Sequence, residues 1–234
     1  MVGMKHLPTV TAMIIDGRAS LDEGLVEDYR AIIRFAQAHF RFAAFRMLLH
    51  DDSADFPACE TIRIDRIDDS IYKHQISYSN FILYHLHRYL DSDFVLLMQR
   101  DGFILNPGAW DDAFLDYDYL GAPWPPELSW VRPGRQVGNG GFSLRSRRLT
   151  TLTSKLFYPV AYGGGLHEDF AIGSVAREFL ESHGIRYPSV ETALRFSIEK
   201  DSPTWRRPEQ SFGFHSFETI PREQAYGQIR GGTA

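Results

Sequence analysis

The chain has 234 residues, 44% hydrophobic and 24% charged, which is the composition of one globular domain rather than of a disordered segment. Its 25 Lys and Arg against 30 Asp and Glu leave a net charge of −5, so bulk charge does not attract it to nucleic acid. Its one cysteine, Cys59, cannot form an intramolecular disulfide, and no segment approaches the roughly 20 apolar residues that span a bilayer. The first ten residues also lack the apolar run of a secretion signal, so we expect a cytoplasmic protein.

The first half of the chain alternates segments of strand and helix character. Strands are predicted over residues 9–16, 45–49, 61–67 and 93–99, and helices after Ser20, where Glu23 completes a capping box, and over 72–90. Residues 93–99 centre on an apolar run that is typical of a strand buried on both faces. This order predicts a single α/β, Rossmann-like domain whose mostly parallel central sheet is flanked by helices and has 93–99 as an inner strand.

The second half has a different pattern. Residues 106–124 mix aromatic residues with Asp and Pro and predict loops and short helices. A glycine turn at 138–141 leads into a strand, and helices are predicted over 146–157 and 168–183, the latter ended by Gly184. The tail after residue 203 is rich in Pro, Gly and aromatic residues, and we expect it to form an ordered loop.

Two acidic turns are predicted to share one edge of the sheet. Asp16 ends the first strand and Asp101 follows the apolar strand, and ligands of doubly wound sheets bind at the carboxyl ends of strands. The carboxylate of Asp101 is suited to a divalent cation that bridges phosphate oxygens. An ordinary Asp-Gly turn explains the same residues without a ligand.

Three further motifs each have a functional and a structural interpretation. The glycines at 138–141 allow a ligand to approach the backbone, or simply form a tight turn. Glu168 and Asp169 supply a general base, or favourable acidic residues in a first helical turn. His215, among aromatic residues, is a ligand for an ion such as Mn²⁺, or a packed core histidine.

The order of these motifs resembles that of the GT-A class of nucleotide-sugar glycosyltransferases. The strings GAPW and GNGGFSLRS look like a bacterial family of domains of unknown function that is grouped with glycosyltransferases, over residues 9–215. The segment Phe214-His215-Ser216 and the pair Glu168-Asp169 are similar to motifs of Fringe-type β-1,3-transferases. The resemblance implies one GT-A-like domain over 1–234, with a nucleotide-binding half at about 9–105 and an acceptor-binding half at about 106–220.

The resemblance also implies a donor site with a metal. The residues that would bind the donor are Asp16, Gly17, Arg18, Gln99, Arg100 and Asp101. Gln99 stands where the first acid of the Asp-x-Asp motif is expected, and it brings no charge to the site. The implied cofactor is Mn²⁺ or Mg²⁺, held by Asp101 and His215.

The acceptor side is implied in the same way. Asp169 would be the catalytic base, with Glu168 beside it, and the residues that would bind the acceptor are Trp124, Asn139, Gly140 and Gly141. Loops near Trp124 and Gly163–Gly165 would exclude water from the reaction.

The resulting hypothesis is a glycosyltransferase that moves a sugar from a nucleoside-diphosphate sugar to a hydroxyl of a carbohydrate or glycolipid, with inversion. Such a reaction belongs to polysaccharide or glycoconjugate synthesis, in the cytoplasm or at the inner face of the membrane. One alternative is a non-catalytic sugar- or nucleotide-binding module of the same fold, which Gln99 favours. A second is a metal-dependent phosphohydrolase that uses Asp101, Asp169 and His215 around one ion.

Overall fold

The computed structural model describes residues 3–51, 54–67, 71–156, 167–206 and 208–231, which form two sheets. The strands are β1 (Lys5–Asp16), β2 (Phe40–Leu49), β3 (Glu60–Arg63), β4 (Phe94–Met98), β5 (Gly102–Ile104), β6 (Tyr119–Leu120), β7 (Ser143–Ser146), β8 (Ser197–Ile198) and β9 (Gly213–His215). The main sheet has the order β3-β2-β1-β4-β7-β6, and the small sheet has the order β5-β9-β8.

The predicted α/β fold with a mostly parallel central sheet is confirmed. β1 pairs in parallel with β2 and β4, and residues 95–98 of β4 are at most 1% exposed between β1 and β7, as an inner strand should be. β7 is antiparallel to both β4 and β6. In the stretch between β4 and β7 the chain forms short strands, 3₁₀ turns and loops rather than the crossover helix that parallel pairing requires.

The small sheet was not predicted from the sequence, and it rests on an aromatic core. Its central strand β9 pairs with β5 through Gly102 and His215 and with β8 through Ser197 and Gly213. Eight phenylalanines at most 2% exposed share a core with both sheets: Phe40, Phe56, Phe103, Phe114, Phe142, Phe196, Phe212 and Phe214. Much of the high aromatic content therefore serves packing, and this packing holds His215 beside the main sheet.

Helices cover the sheet and its connections. They are α1 (Glu23–His39), α2 (Ile71–Tyr84), α3 (Arg147–Thr153), α4 (Glu168–Phe170), α5 (Arg177–Ser182), α6 (Val190–Phe196) and α7 (Arg222–Gly231). The capping-box prediction at Ser20 is wrong, because the side chain of Asp22 caps α1 by accepting from the amide of Leu25 at 2.8 Å. The helix predicted over 168–183 is split into α4 and α5 by a π-helical turn at Ala171–Val175. In the described part of the chain, no helix is long and apolar enough to cross a membrane.

The C-terminal helix α7 replaces part of the predicted loop and docks against α1. The buried carboxylate of Asp28 on α1 accepts hydrogen bonds from Arg222 at 2.8 Å and from Arg230 at 3.1 Å. Between these arginines, the hydroxyl of Tyr226 donates to the carbonyl of Arg100 at 2.8 Å. The helix thus supports the turn that follows β4.

We expect Asp28→Asn to destabilise the protein, because it removes the charge that both α7 arginines bind. Hydrogen bonds to charged groups contribute about 1.5–3 kcal/mol, and losing that much lowers the melting temperature by about 3–12 °C for a domain of this size. Thermal unfolding measures the change. The control is Asp112→Asn, which breaks an exposed pair with Lys5 and costs about 1 kcal/mol or less. Equal melting temperatures for the two variants would contradict the docking argument.

Candidate active site

A cavity of about 260 Å³ opens at the carboxyl ends of β1 and β4. Its lining consists of Ile15, Asp16, Arg18, Tyr29, Tyr78, Gln99, Arg100 and Asp101. Five of the six residues predicted to bind a donor therefore lie around one cavity. Gly17, the sixth, lies against Ile67, where an added Cβ would come within 2.3 Å of the isoleucine side chain. The roles of these residues in binding stay predictions.

Asp16 is buried and holds Arg18 at the edge of the cavity. Its carboxylate accepts from the Arg18 side chain, with Nε at 2.9 Å, and from the Tyr29 hydroxyl at 2.7 Å. The hydrogen bond with Asp16 raises the pKa of Arg18, and this effect outweighs the lowering by burial. Arg18, one third exposed, therefore places a permanent positive charge in the cavity, while Asp16 is occupied by its partners.

A tight turn presents Asp101 to the same cavity. The amide of Gln99 donates to the carbonyl of Gly102 at 2.7 Å, and the amide of Gly102 donates back at 3.1 Å. The hydroxyl of Tyr78 is hydrogen-bonded to the Gln99 side chain, and burial raises the pKa of that tyrosine. Tyr78 lies in the helical segment predicted over 72–90, and nothing in the local sequence marks it as a residue of the site.

His215 lies next to the Asp101 turn because of the strand pairing. Gly102 pairs with His215, and the amide of Ser216 donates to the carbonyl of Asp101 at 2.7 Å. The backbone of Ser216 has a φ of 77°. Residues other than glycine rarely adopt this conformation, and it often occurs at functional sites.

The imidazole of His215 faces an acidic residue that sequence reasoning missed. Nδ1 of His215 is 3.4 Å from Oε1 of Glu199, whose other oxygen accepts from the Asn139 side chain at 2.8 Å. Burial lowers the pKa of His215, but Glu199, Asp101 and Asp169 together raise it above its ordinary value. The predicted acceptor residue Asn139 is thus connected to the predicted metal ligand His215.

The residues fit a divalent metal only as a partial set of ligands. A carboxylate and an imidazole suit Mn²⁺, and the strand pairing brings Asp101 and His215 together. Among the described residues, no group of three His, Cys, Asp or Glu side chains is arranged to hold an ion. An ion bound by Asp101 and His215 would therefore take its remaining ligands from a donor or from water. These two ligands stay a prediction.

The glycine turn separates His215 from the acidic pair, and its two inner glycines are required by close contacts. A Cβ at Gly140 would lie 2.4 Å from Oε1 of Glu168, and a Cβ at Gly141 would lie 2.0 Å from Nε2 of His215. The amide of Gly141 donates to Oδ1 of Asn139 at 3.2 Å, which stabilises the turn. Any side chain at Gly140 or Gly141 would push these groups apart.

Glu168 has a partner on each of its carboxylate oxygens, and its predicted catalytic role stays a prediction. It is buried, and its Oε1 pairs with Arg145 at 3.0 Å, while its Oε2 accepts from the hydroxyl of Ser79 at 3.2 Å. Arg145 is itself only 1% exposed and needs this counter-charge. Both carboxylate oxygens have partners, so Glu168 acts on the site mainly through its effect on its neighbour.

Asp169 has the properties expected of a general base. It is partly exposed, and its Oδ2 accepts from the amide of Gly140 at 3.3 Å. Burial, followed by the charge of Glu168, raises the pKa of Asp169 to about 7. A carboxylate with this pKa accepts a proton far more readily near neutral pH than an ordinary aspartate does.

Trp124 is largely covered, so its predicted contact with an acceptor has little surface available. The ring is 5% exposed and packs on Gly138, where a Cβ would lie 2.0 Å from it. The exposed ring in this region is Trp130, 4.9 Å from Trp124 between centroids. The other loop predicted to exclude water, Gly163–Gly165, lies outside the described residues.

Comparisons with known proteins support the fold. A family model described as "Protein of unknown function (DUF5672)" matches residues 61–215, about two thirds of the chain. Among curated proteins there is no match. Solved structures similar to this chain include a glycosyltransferase involved in the glycosylation of the major capsid of PBCV-1. The two sequences are 9% identical, the match covers 96% of this chain and 100% of that chain, and the TM-score is 0.56.

Two further solved structures have the same architecture. Mouse xyloside xylosyltransferase 1 in its apo form has 13% identity, 92% of this chain and 99% of that chain covered, and a TM-score of 0.55. An active-site mutant of LgtC has 12% identity, 96% of each chain covered, and a TM-score of 0.51. At these identities the likeness establishes a glycosyltransferase fold of the GT-A type. Similarity to Fringe-type enzymes stays a prediction.

We expect Asp169→Asn to stabilise the protein increasingly as the pH rises. The pKa of this carboxyl is about 7 in the folded state against an ordinary value of 3.8, so folding favours its protonated form. The stability that the group contributes is complete below about pH 4 and is lost as the pH rises through about 7. Asparagine does not ionise, so the melting temperature of the variant relative to wild type should increase from pH 4 to pH 7 and then level off.

Glu168→Gln is the control for this measurement. It leaves the buried guanidinium of Arg145 without its counter-charge, which costs up to about 3–5 kcal/mol, so this variant should melt well below wild type at neutral pH. If the difference in melting temperature between Asp169→Asn and wild type does not change with pH, the pKa of Asp169 is not raised.

Proposed function

The chain belongs to the DUF5672 family, and from this premise and the geometry of its site we propose that it is a glycosyltransferase with a nucleoside-diphosphate sugar as donor. The observation that carries the proposal is the position of Asp169. A carboxylate with a pKa near neutrality lies across the glycine turn from His215, whose strand partner Gly102 follows Asp101 at the cavity that Arg18 also lines. This combination provides separate places for an acceptor hydroxyl and for a diphosphate.

The cavity at the strand ends suits the nucleotide part of the donor. Nucleotides bind to open α/β sheets outside the carboxyl ends of the strands. The guanidinium of Arg18 is held in place by Asp16, and Arg100 is exposed at the opposite lip, so both can donate to phosphate oxygens. The neutral amide of Gln99 can donate to a hydroxyl of the sugar or ribose without repelling the diphosphate.

The residues that would hold a divalent ion are Asp101 and His215. Mn²⁺ or Mg²⁺ bound there would neutralise the charge that develops on the diphosphate leaving group. Glu199 supports the arrangement because it lies against Nδ1 of His215 and limits how the imidazole can rotate.

Asp169 would accept the proton of the acceptor hydroxyl as that oxygen attacks the anomeric carbon. The amide of Gly140 orients its carboxylate, and the buried charge of Glu168 makes the carboxylate more basic. One direct displacement of this kind inverts the anomeric configuration. The negative net charge of −5 favours a carbohydrate or glycolipid acceptor over nucleic acid. Such a reaction would serve polysaccharide or glycoconjugate synthesis in the cytoplasm or at the inner face of the membrane.

A non-catalytic sugar- or nucleotide-binding module is the second candidate. The observation in its favour is Gln99, a neutral residue that is engaged by Tyr78 at the position where the first acid of the Asp-x-Asp motif is expected. Such a module would bind the same donor through Arg18 but would not break the bond between sugar and diphosphate.

Thermal unfolding with nucleoside diphosphates, with and without Mn²⁺, tests donor binding, because a ligand that binds only the folded state raises the melting temperature. We expect a shift for at least one nucleotide, lost in Arg18→Ala. Nucleoside-diphosphate release from a panel of nucleotide sugars then separates the two candidates, since only a transferase releases it. If no nucleotide shifts the melting temperature, the transferase and the nucleotide-binding module both fail.

Asp169→Asn should abolish most of the turnover of the donor. The variant keeps the size of the side chain but loses the proton acceptor, so kcat should fall by about 10²–10⁴-fold. The nucleotide-induced shift in melting temperature should remain, because Asp169 does not line the donor cavity. In wild type, kcat should rise with pH up to about 7, as the carboxyl loses its proton.

Glu191→Gln provides the control for this substitution, since Glu191 is an exposed acid in the first turn of α6. It should turn over at the wild-type rate. If Asp169→Asn also does so, Asp169 has no part in the reaction.

A further inference from the structure

Trp130 is a large aromatic ring on the surface near the candidate base. It is 44% exposed, one of few large apolar side chains with that exposure in the described part of the chain. It packs at 5.6 Å on Phe170, the residue that follows Asp169, and at 4.9 Å on Trp124. Both contacts are edge-to-face, with interplanar angles of 80° and 70°, so neither neighbour is stacked flat on the Trp130 ring.

The loop that carries Trp130 is held at several points. The amide of Trp124 donates to the carbonyl of Gln136 at 2.6 Å and closes the loop at its base. Glu127 accepts from the hydroxyl of Ser202 at 2.8 Å. Binding to a ring that is already oriented costs little conformational entropy.

Trp130 is connected to Asp169 by packing, because it contacts Phe170, the residue next to Asp169, and Trp124, which packs on the glycine turn. Gly138, at one end of the turn, lies against the ring of Trp124, and Gly140 lies against Asp169. Trp130 packs on the same Trp124 ring and on Phe170, so the exposed indole lies near the candidate base.

We propose that Trp130 is the stacking platform for a pyranose ring of the acceptor, an inference that rests on the proposed transferase function. The C–H groups on one face of a pyranose carry partial positive charge and match the negative face of the indole, while the sugar hydroxyls remain free to bind polar groups. Arg132 is exposed two residues further along the chain, and Arg135 in the same loop pairs at 3.7 Å with Glu178 of α5.

The polar surroundings favour a sugar over a protein partner. A stable protein interface needs about 800 Å² on each side with an apolar centre, whereas the loop of Trp130 offers one exposed ring with the charge of Arg132 two residues away. A pyranose has the matching size and the matching mixture of one apolar face and a polar rim.

Saturation-transfer NMR with methyl β-glucoside, methyl β-galactoside and methyl N-acetyl-β-glucosaminide tests the proposal, with sorbitol as a polyol that has no ring. We expect at least one pyranoside to bind wild type, with the strongest transfer to protons of one ring face, and sorbitol not to bind. Trp130→Ala should weaken that binding about tenfold or more, as loss of an aromatic anchor does, and Trp130→Phe should restore most of it.

Phe179→Ala is the matched control, because Phe179 is an aromatic residue with 42% exposure that packs on His183, the residue after its own helix. It should bind the pyranoside as wild type does. The platform is overturned if no pyranoside binds, or if Trp130→Ala and Phe179→Ala behave alike. Pyranoside binding that depends on Trp130 without any nucleotide-induced shift supports the platform and overturns the transferase. If the protein turns over the donor and Trp130→Ala leaves the KM for the acceptor unchanged, Trp130 is not the platform, while the transferase function stands.

Discussion

The candidate site depends on one buried ion pair, Arg145 with Glu168. A guanidinium that is almost fully buried is tolerated only beside a counter-charge, so the strand β7 and the start of α4 must stay in contact. Ser79 adds α2 to the same junction through the second oxygen of Glu168. Because the pair lies directly over Gly140, the glycine turn can pass only where there is no side chain. The position of Asp169 follows from this junction.

The site uses acidic residues in pairs with different tasks. Glu168 has partners on both oxygens and stabilises the fold, while its negative charge and the burial around it raise the pKa of Asp169. In the same way, Asp16 is fully engaged with Arg18 and Tyr29, while Asp101 faces the cavity from the turn after β4. In each pair one carboxylate positions groups and the other can meet a ligand.

The small sheet connects the two sides of the site. Pairing of β9 with β5 places His215 beside Asp101, and Gly141 then packs on the imidazole. This placement depends on the phenylalanine core beneath the sheet and on α7, whose Tyr226 supports the carbonyl of Arg100. Residues near the C-terminal end of the sequence thus position the turn that carries Asp101.

The sequence alone determined features that arise from neighbouring residues. The apolar run within 93–99 predicted an inner strand, and the turn at Asp101 was located correctly, because burial periodicity and turn chemistry act over a few residues. The resemblance to glycosyltransferases correctly indicated the fold class, but the roles of the residues it named stay predictions.

Only the tertiary structure decided which polar groups meet. Glu199 and Trp130 have no distinctive local pattern, and the helix α7 was predicted as loop because Pro and Gly in the tail obscured its apolar face. Asn139 meets Glu199 across 60 positions of the chain. Ion pairs and close backbone contacts join segments that folding brings together, and their energies depend on burial, which a local pattern does not contain.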